Sequence, residues 1–164
     1  MTIEERMLRE VFDLIERDLP AELDALSLDP LRWRSGTGDG TPGEWTEQIV
    51  RLDAPAELWA EDRIRTRFPT LAVYLNDSEY QDESEECGST TLSSAVEWVD
   101  IALAGPDDEL LVWLWLRYAE AVRNVIARAP LTFRLSLRSQ RVIESGPLES
   151  LHLRRGALEF SGRE

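Results

Sequence analysis

Apolar residues recur at Met7, Leu8, Val11, Phe12, Ile15 and Leu19, the spacing of one helical face. Thr2 and Glu5 stand ahead of them with the separation of a capping box, and Pro20 follows, so residues 3–19 are expected to form an amphipathic helix. The next stretch is less regular. "PAELDALSLDP" reads as a short helix, "RSGTGDGTPG" as a loop, "EWTEQIVRL" as a strand and "PAELWAEDRIR" as another short helix, so residues 30–60 form an irregular insert. From Phe68 the pattern sharpens to strict alternation. "PTLAVYL" places Leu71, Val73 and Leu75 on one face, and "SAVEWVDIALA" does the same with Val99, Ile101 and Leu103. Residues 76–92, with no apolar period, are expected to be the loop of the hairpin joining these strands.

"GPDDELLVWLWLRYAEAVRNVIARAP" has the clearest helical signal. Asp107, Asp108 and Glu109 suit the positive N-terminal end, Arg123 and Arg128 suit the C-terminal end, and Pro130 stops it. "TFRLSLRSQRVI" then alternates, "SGP" is expected to turn the chain, and "LHLRRGALEF" returns. In this last segment the apolar positions switch parity between Leu153 and Leu158, which places a bulge at Gly156. The order predicts a single α+β domain over 1–164. Its mainly antiparallel sheet has about four strands in two hairpins, packed on one face by the N-terminal and the long central helix.

The central helix carries more apolar surface than one sheet can cover. Leu111, Trp115, Tyr118, Val122, Val125 and Ala129 make a continuous stripe, yet Leu110, Trp113, Leu114 and Leu116 lie round the rest of its first turns. A helix apolar on all sides must be covered on all sides. Either the N-terminal helix and the insert supply that cover, or a neighbouring subunit does.

Composition narrows the chemistry. There are 32 acidic and 18 basic residues, a net charge of −14, and every base is arginine. Without lysine there is no Schiff base and no phosphate-loop lysine. The negative balance opposes adsorption to nucleic acid or anionic lipid. One cysteine, Cys87, and one histidine, His152, exclude a disulfide framework within the chain and a histidine- or cysteine-rich metal centre. The start "MTIEERMLRE" is charged where a secretory signal is apolar, so a soluble protein of a reducing cytosol is expected. The glycines of "GTGDGTPG" lack the preceding strand and following helix of a phosphate-binding loop. Asp77 to Glu86 holds six acidic residues, without the spacing of a calcium loop. No catalytic, metal or cofactor site is expected.

The element order resembles that of the tail terminator, or tail-completion, proteins of long-tailed bacteriophages. The resemblance is carried by "TIEERMLREVFDLIERDL", "RFPTLAVYLND", "AVEWVDIALAG", the acid-capped "PDDELLVWLWLRYAEAVRNVIARA", within which "RYAEAVRNVI" is closest, and the closing hairpin ending "LRRGALEF". It implies a structural virion protein and no enzyme. In that family a hexameric ring caps the tail tube, ends its growth and offers the surface on which the head docks. The implied partners are further copies of the chain, the tube protein and the neck proteins, with DNA passing through the bore unbound and no membrane contact. The implied location is the head-proximal end of the tail, after assembly in the host cytoplasm. Leu110, Trp113, Leu114 and Arg117 are then candidates for the subunit interface, and Asp77, Glu79, Asp82, Glu83, Glu85 and Glu86 for a loop facing the tube or bore. A head–tail connector or an injection-system cap would differ mainly in its partner. An acidic inhibitor or immunity-type protein, or a small enzyme using Cys87 or paired carboxylates, are the alternatives of other classes.

Overall fold

Thr2 opens the first helix as its spacing predicts. Its hydroxyl accepts from the Glu5 N–H (3.2 Å) while the Glu5 carboxylate accepts from the Thr2 N–H (2.6 Å). The structure, a computed structural model, describes residues 2–36, 39–61, 67–82 and 90–163, with the backbone alone for 76–82 and 90–94. Helix α1 spans Ile3–Leu26 and so runs through Pro20. A mid-helix proline costs about 3 kcal/mol. Here its ring faces solvent, and the following turn is held by buried Leu23 and by Glu22. The Glu22 carboxylate accepts from Arg128 (2.6 Å) and Asn124 (2.8 Å) of the second helix. Burial alone would raise its pKa, but these donors outweigh that and hold it below the ordinary value.

The insert is more regular than expected. Strands β1 (Leu31–Arg34) and β2 (Trp45–Gln48) pair antiparallel, with Trp33 opposite Thr46. The glycine-containing stretch joins the two strands and precedes no helix. "PAELWAEDRIR" does not form the expected helix at its start. Glu57–Trp59 is strand β3, parallel to β4 (Thr70–Asp82), while 62–66 lie outside the described residues.

The fold is α+β. Among the described residues the main sheet has five strands in the order β3-β4-β5-β7-β6, more than the four expected. Strand β5 is Thr90–Gly105, helix α2 Asp108–Arg128, β6 Arg134–Leu148 and β7 Leu151–Arg163. The β4–β5 ladder runs from Thr70↔Ala102 out to Asp82↔Thr90, so much of the expected acidic loop has strand backbone instead. "SGP" does not turn the chain. Ser145, Gly146 and Pro147 pair with Arg154, Leu153 and His152, and the turn falls at Glu149, whose φ is 53°. Proline is tolerated there because β6 is an edge strand.

Register sets the core. Val73 lies opposite Val99, and Val99 opposite Leu158, placing these buried residues side by side on one face. Both helices cover that face: a β-carbon at Gly162 would collide with Met7 of α1, and one at Gly156 with the indole of Trp115 of α2. Gly156 therefore serves a close approach. The expected bulge is not in β7, whose pairing with β5 is continuous; the register shifts lie in β6, around Arg138 and Ile143. On the opposite face Arg155 donates to fully buried Asp100 (2.8 and 2.6 Å), and Arg141 stacks over Trp98 at 4.3 Å.

One core residue breaks the apolar pattern. Glu97, opposite Phe160 on the helix-covered face, is fully buried with neither carboxylate oxygen hydrogen-bonded. Burial, reinforced by the charge of Glu10, pushes its pKa up to about 8. Because the folded value lies above the unfolded one, the neutral carboxyl's contribution is complete below the unfolded value and is lost as pH rises through about 8. Glu97→Gln removes this dependence. In denaturation curves from about pH 5 to about pH 9, the wild type should lose on the order of 4 kcal/mol relative to Glu97→Gln. Parallel curves would contradict an ionisable Glu97 buried in the core.

Candidate functional site: a groove along the central helix

The β1–β2 hairpin is fastened to the start of α2. Leu31 and Trp33 are buried, and the Trp33 indole donates to Asp107 (3.1 Å). Asp107 also caps the helix by accepting from the Leu110 N–H (3.0 Å), and Glu109 accepts from the Arg34 N–H (3.2 Å). This docking covers part of the apolar surface of α2 that the sheet cannot reach, and α1 covers more. The remainder forms the floor of a groove of about 610 Å³ between the hairpin, α2 and Gln140 of β6.

Trp113 and Leu116 line this groove from α2, 37% and 41% exposed, and Trp45 lines it from the hairpin at 55%. The guanidinium of Arg32 lies over the Trp45 ring, 4.8 Å from its centroid, and Arg123 donates to the Gln140 side chain. Among the described residues neither Arg32 nor Arg123 has a carboxylate partner, although acids far outnumber bases in the chain. Arg117 and Glu120 complete the charged rim. An aromatic and aliphatic floor edged by arginines suits a protein partner with apolar and acidic groups.

The four interface candidates separate here. Trp113 is open to solvent. Leu114 is half-buried and packs on the main core, and Leu110 is half-buried near the start of α2. Arg117 lines the groove but is committed within the chain: it donates to the carbonyls of Leu26 (2.8 Å) and Pro30 (3.2 Å) and lies 3.9 Å from Asp29. Leu26 is the last residue of α1, and Arg117 adds a second, charged donor to a carbonyl that also accepts from the Asp29 N–H at 3.3 Å. Sequence reasoning missed Trp45, Arg32 and Arg123. The available signal was Trp45 itself, a large aromatic in the otherwise polar strand "WTEQ".

Of the acidic candidates, Asp77, Glu79 and Asp82 have strand backbone opposite Val96, Ser94 and Thr90. Glu83, Glu85 and Glu86 lie outside the described residues, as does Cys87. His152 is half-buried at the end of the sheet, opposite Gly105 and beside Asp107, Asp108 and Glu109. Among the described residues no three His, Cys, Asp or Glu side chains are grouped to hold a metal ion, and no helix is long and apolar enough to cross a membrane. No protein-family model matches the chain, and no curated protein matches it.

Substitutions should separate the two sides of α2. Trp113→Asp should retain native circular dichroism and lose less than about 1.5 kcal/mol, because over a third of the residue is already in water and none of it belongs to the main core. Trp115→Asp should unfold the domain, and Leu114→Asp should fall between them. Arg117→Leu should cost about 1–3 kcal/mol in urea denaturation by removing its charge-assisted hydrogen bonds to the Leu26 and Pro30 carbonyls.

Proposed function

We propose that this chain is a structural virion protein that assembles into a ring, hexameric as in the family it resembles, at the head-proximal end of a long-tailed phage's tail tube. There it ends tube growth, presents the head-docking surface and performs no chemistry. The observation that carries this reading is the uncovered strip of Trp113 and Leu116, with Trp45 beside it, on a helix whose other large apolar side chains are buried or half-buried against its own chain. A contiguous apolar strip of this kind marks an interaction surface. A ring uses a heterologous contact, in which one patch meets a different patch on the next copy. The chain's acidity supports the same reading, since a strongly negative ring repels DNA phosphates and lets the genome pass without sticking.

Mutual repulsion at −14 holds free subunits apart at low ionic strength, so association should increase with salt. Native mass spectrometry across a salt series should show a closed oligomer growing in, and the purified protein added to polymerising tail tubes should halt elongation. Electron microscopy should then place it at the tube end. A strict monomer both in solution and in the presence of tubes would overturn the ring. Ring formation without tube binding would favour a connector, and tight salt-sensitive binding of a monomer to a basic protein would favour an inhibitor.

A further inference from the structure

We propose that the arginine-edged groove of one copy holds the acidic β4–β5 arm of the next. This deepens the ring reading and rests on it, since it names the two surfaces that meet. The arm is defined by backbone pairing. Strand β7 accompanies β5 only as far as Gly162↔Ala95, whereas β4 and β5 stay paired beyond it, from Glu79↔Ser94 to Asp82↔Thr90, with Asp77↔Val96 at the root of the arm. Past Ala95 the ladder has two strands and, among the described residues, no third. A two-stranded ladder is marginal in water without something to pack against. Its described residues carry Asp77, Glu79 and Asp82 and no arginine, with Tyr80 among them.

The groove has the complementary chemistry. Arg32 and Arg123 lack carboxylate partners among the described residues, Glu120 is the sole acid in the lining, and Trp45, Trp113 and Leu116 offer apolar contact. The two features also lie on different parts of the sheet. The arm extends the β4–β5 pair, and the groove opens towards Gln140 of β6, with β7 between. Arm into groove between copies is therefore head-to-tail, the arrangement that repeats around a ring. The sequence assigned these acids to the tube or bore; the groove gives them cations to meet.

The test reverses charge on each side, with circular dichroism confirming the fold. The groove variant carries Arg32→Glu and Arg123→Glu, and the arm variant Asp77→Arg, Glu79→Arg and Asp82→Arg. Self-association is read by native mass spectrometry and sedimentation at fixed ionic strength. Each variant alone should associate at least about tenfold more weakly than wild type. For the arm variant this runs against general electrostatics, because the substitutions make the chain less negative and would otherwise promote association. An equimolar mixture of the two variants should recover assembly, since each arm then meets a groove of opposite charge. Undiminished association of the arm variant, or a mixture that fails to recover, would overturn the arm as occupant while leaving the ring intact. A wild type that never associates would remove both.

Discussion

The indole of Trp115 lies against Gly156, where a β-carbon would collide with it, and donates its N–H to the carbonyl of Ile101 at 3.0 Å. A large side chain seated on a glycine, with its one polar atom satisfied, leaves α2 little freedom to slide or roll over β5 and β7. The position of the helix then fixes which residues remain uncovered. With Trp115 down on the sheet, Trp113 and Leu116 must point elsewhere, because successive residues on a helix turn by about 100°. The groove is a geometric consequence of that anchor.

The rest of the chain arranges itself around α2. Arg117 reaches the end of α1, Arg128 and Asn124 reach Glu22, and the Tyr118 hydroxyl donates to the Asp53 carbonyl at 2.7 Å. These contacts tie α1 and the segment at Asp53 to one helix, and two arginines, Arg117 and Arg128, make the ties to α1. Hydrogen bonds to charged groups are stronger than neutral ones. An all-arginine complement suits this work, because a planar guanidinium can serve two carbonyls at once, as Arg117 does. Arg32 and Arg123, without carboxylate partners among the described residues, are the two such arginines that line the groove.

Glu97 shows that the fold also tolerates an unsatisfied position. Its carboxyl sits between the sheet and the first half of α1 with no hydrogen-bond partner, near Met7, Ala95 and Phe133, which form a smaller core of their own. A buried acid without partners is kept neutral by its surroundings. Glu97 also lies next to the end of the sheet from which the β4–β5 arm extends.

Local pattern by itself determined the elements whose signals are short-range: the Thr2–Glu5 cap, the extent of α2 from Asp107 to Pro130, the alternating strands, and the stripe through Trp115 and Val122. These depend on spacing along one element, and spacing is written in the chain. Pro20, "SGP" and Gly156 were misread because each carries a strong local preference that distant contacts overrule: Glu22 and Leu23 beyond the proline, the edge position of β6, and the indole above the glycine. Parallel strand β3 was missed because three residues hold no period. The surplus apolar face of α2 was legible in the sequence, but the division of that face was not. Only the packed structure decided that Leu114 turns inward, that Arg117 is committed to Leu26 and Pro30, and that Trp113, Leu116 and Trp45 converge with Arg32 and Arg123 on one groove. Burial is a property of what lies opposite in space, and residues 45 and 113 become neighbours only when the hairpin docks on the helix.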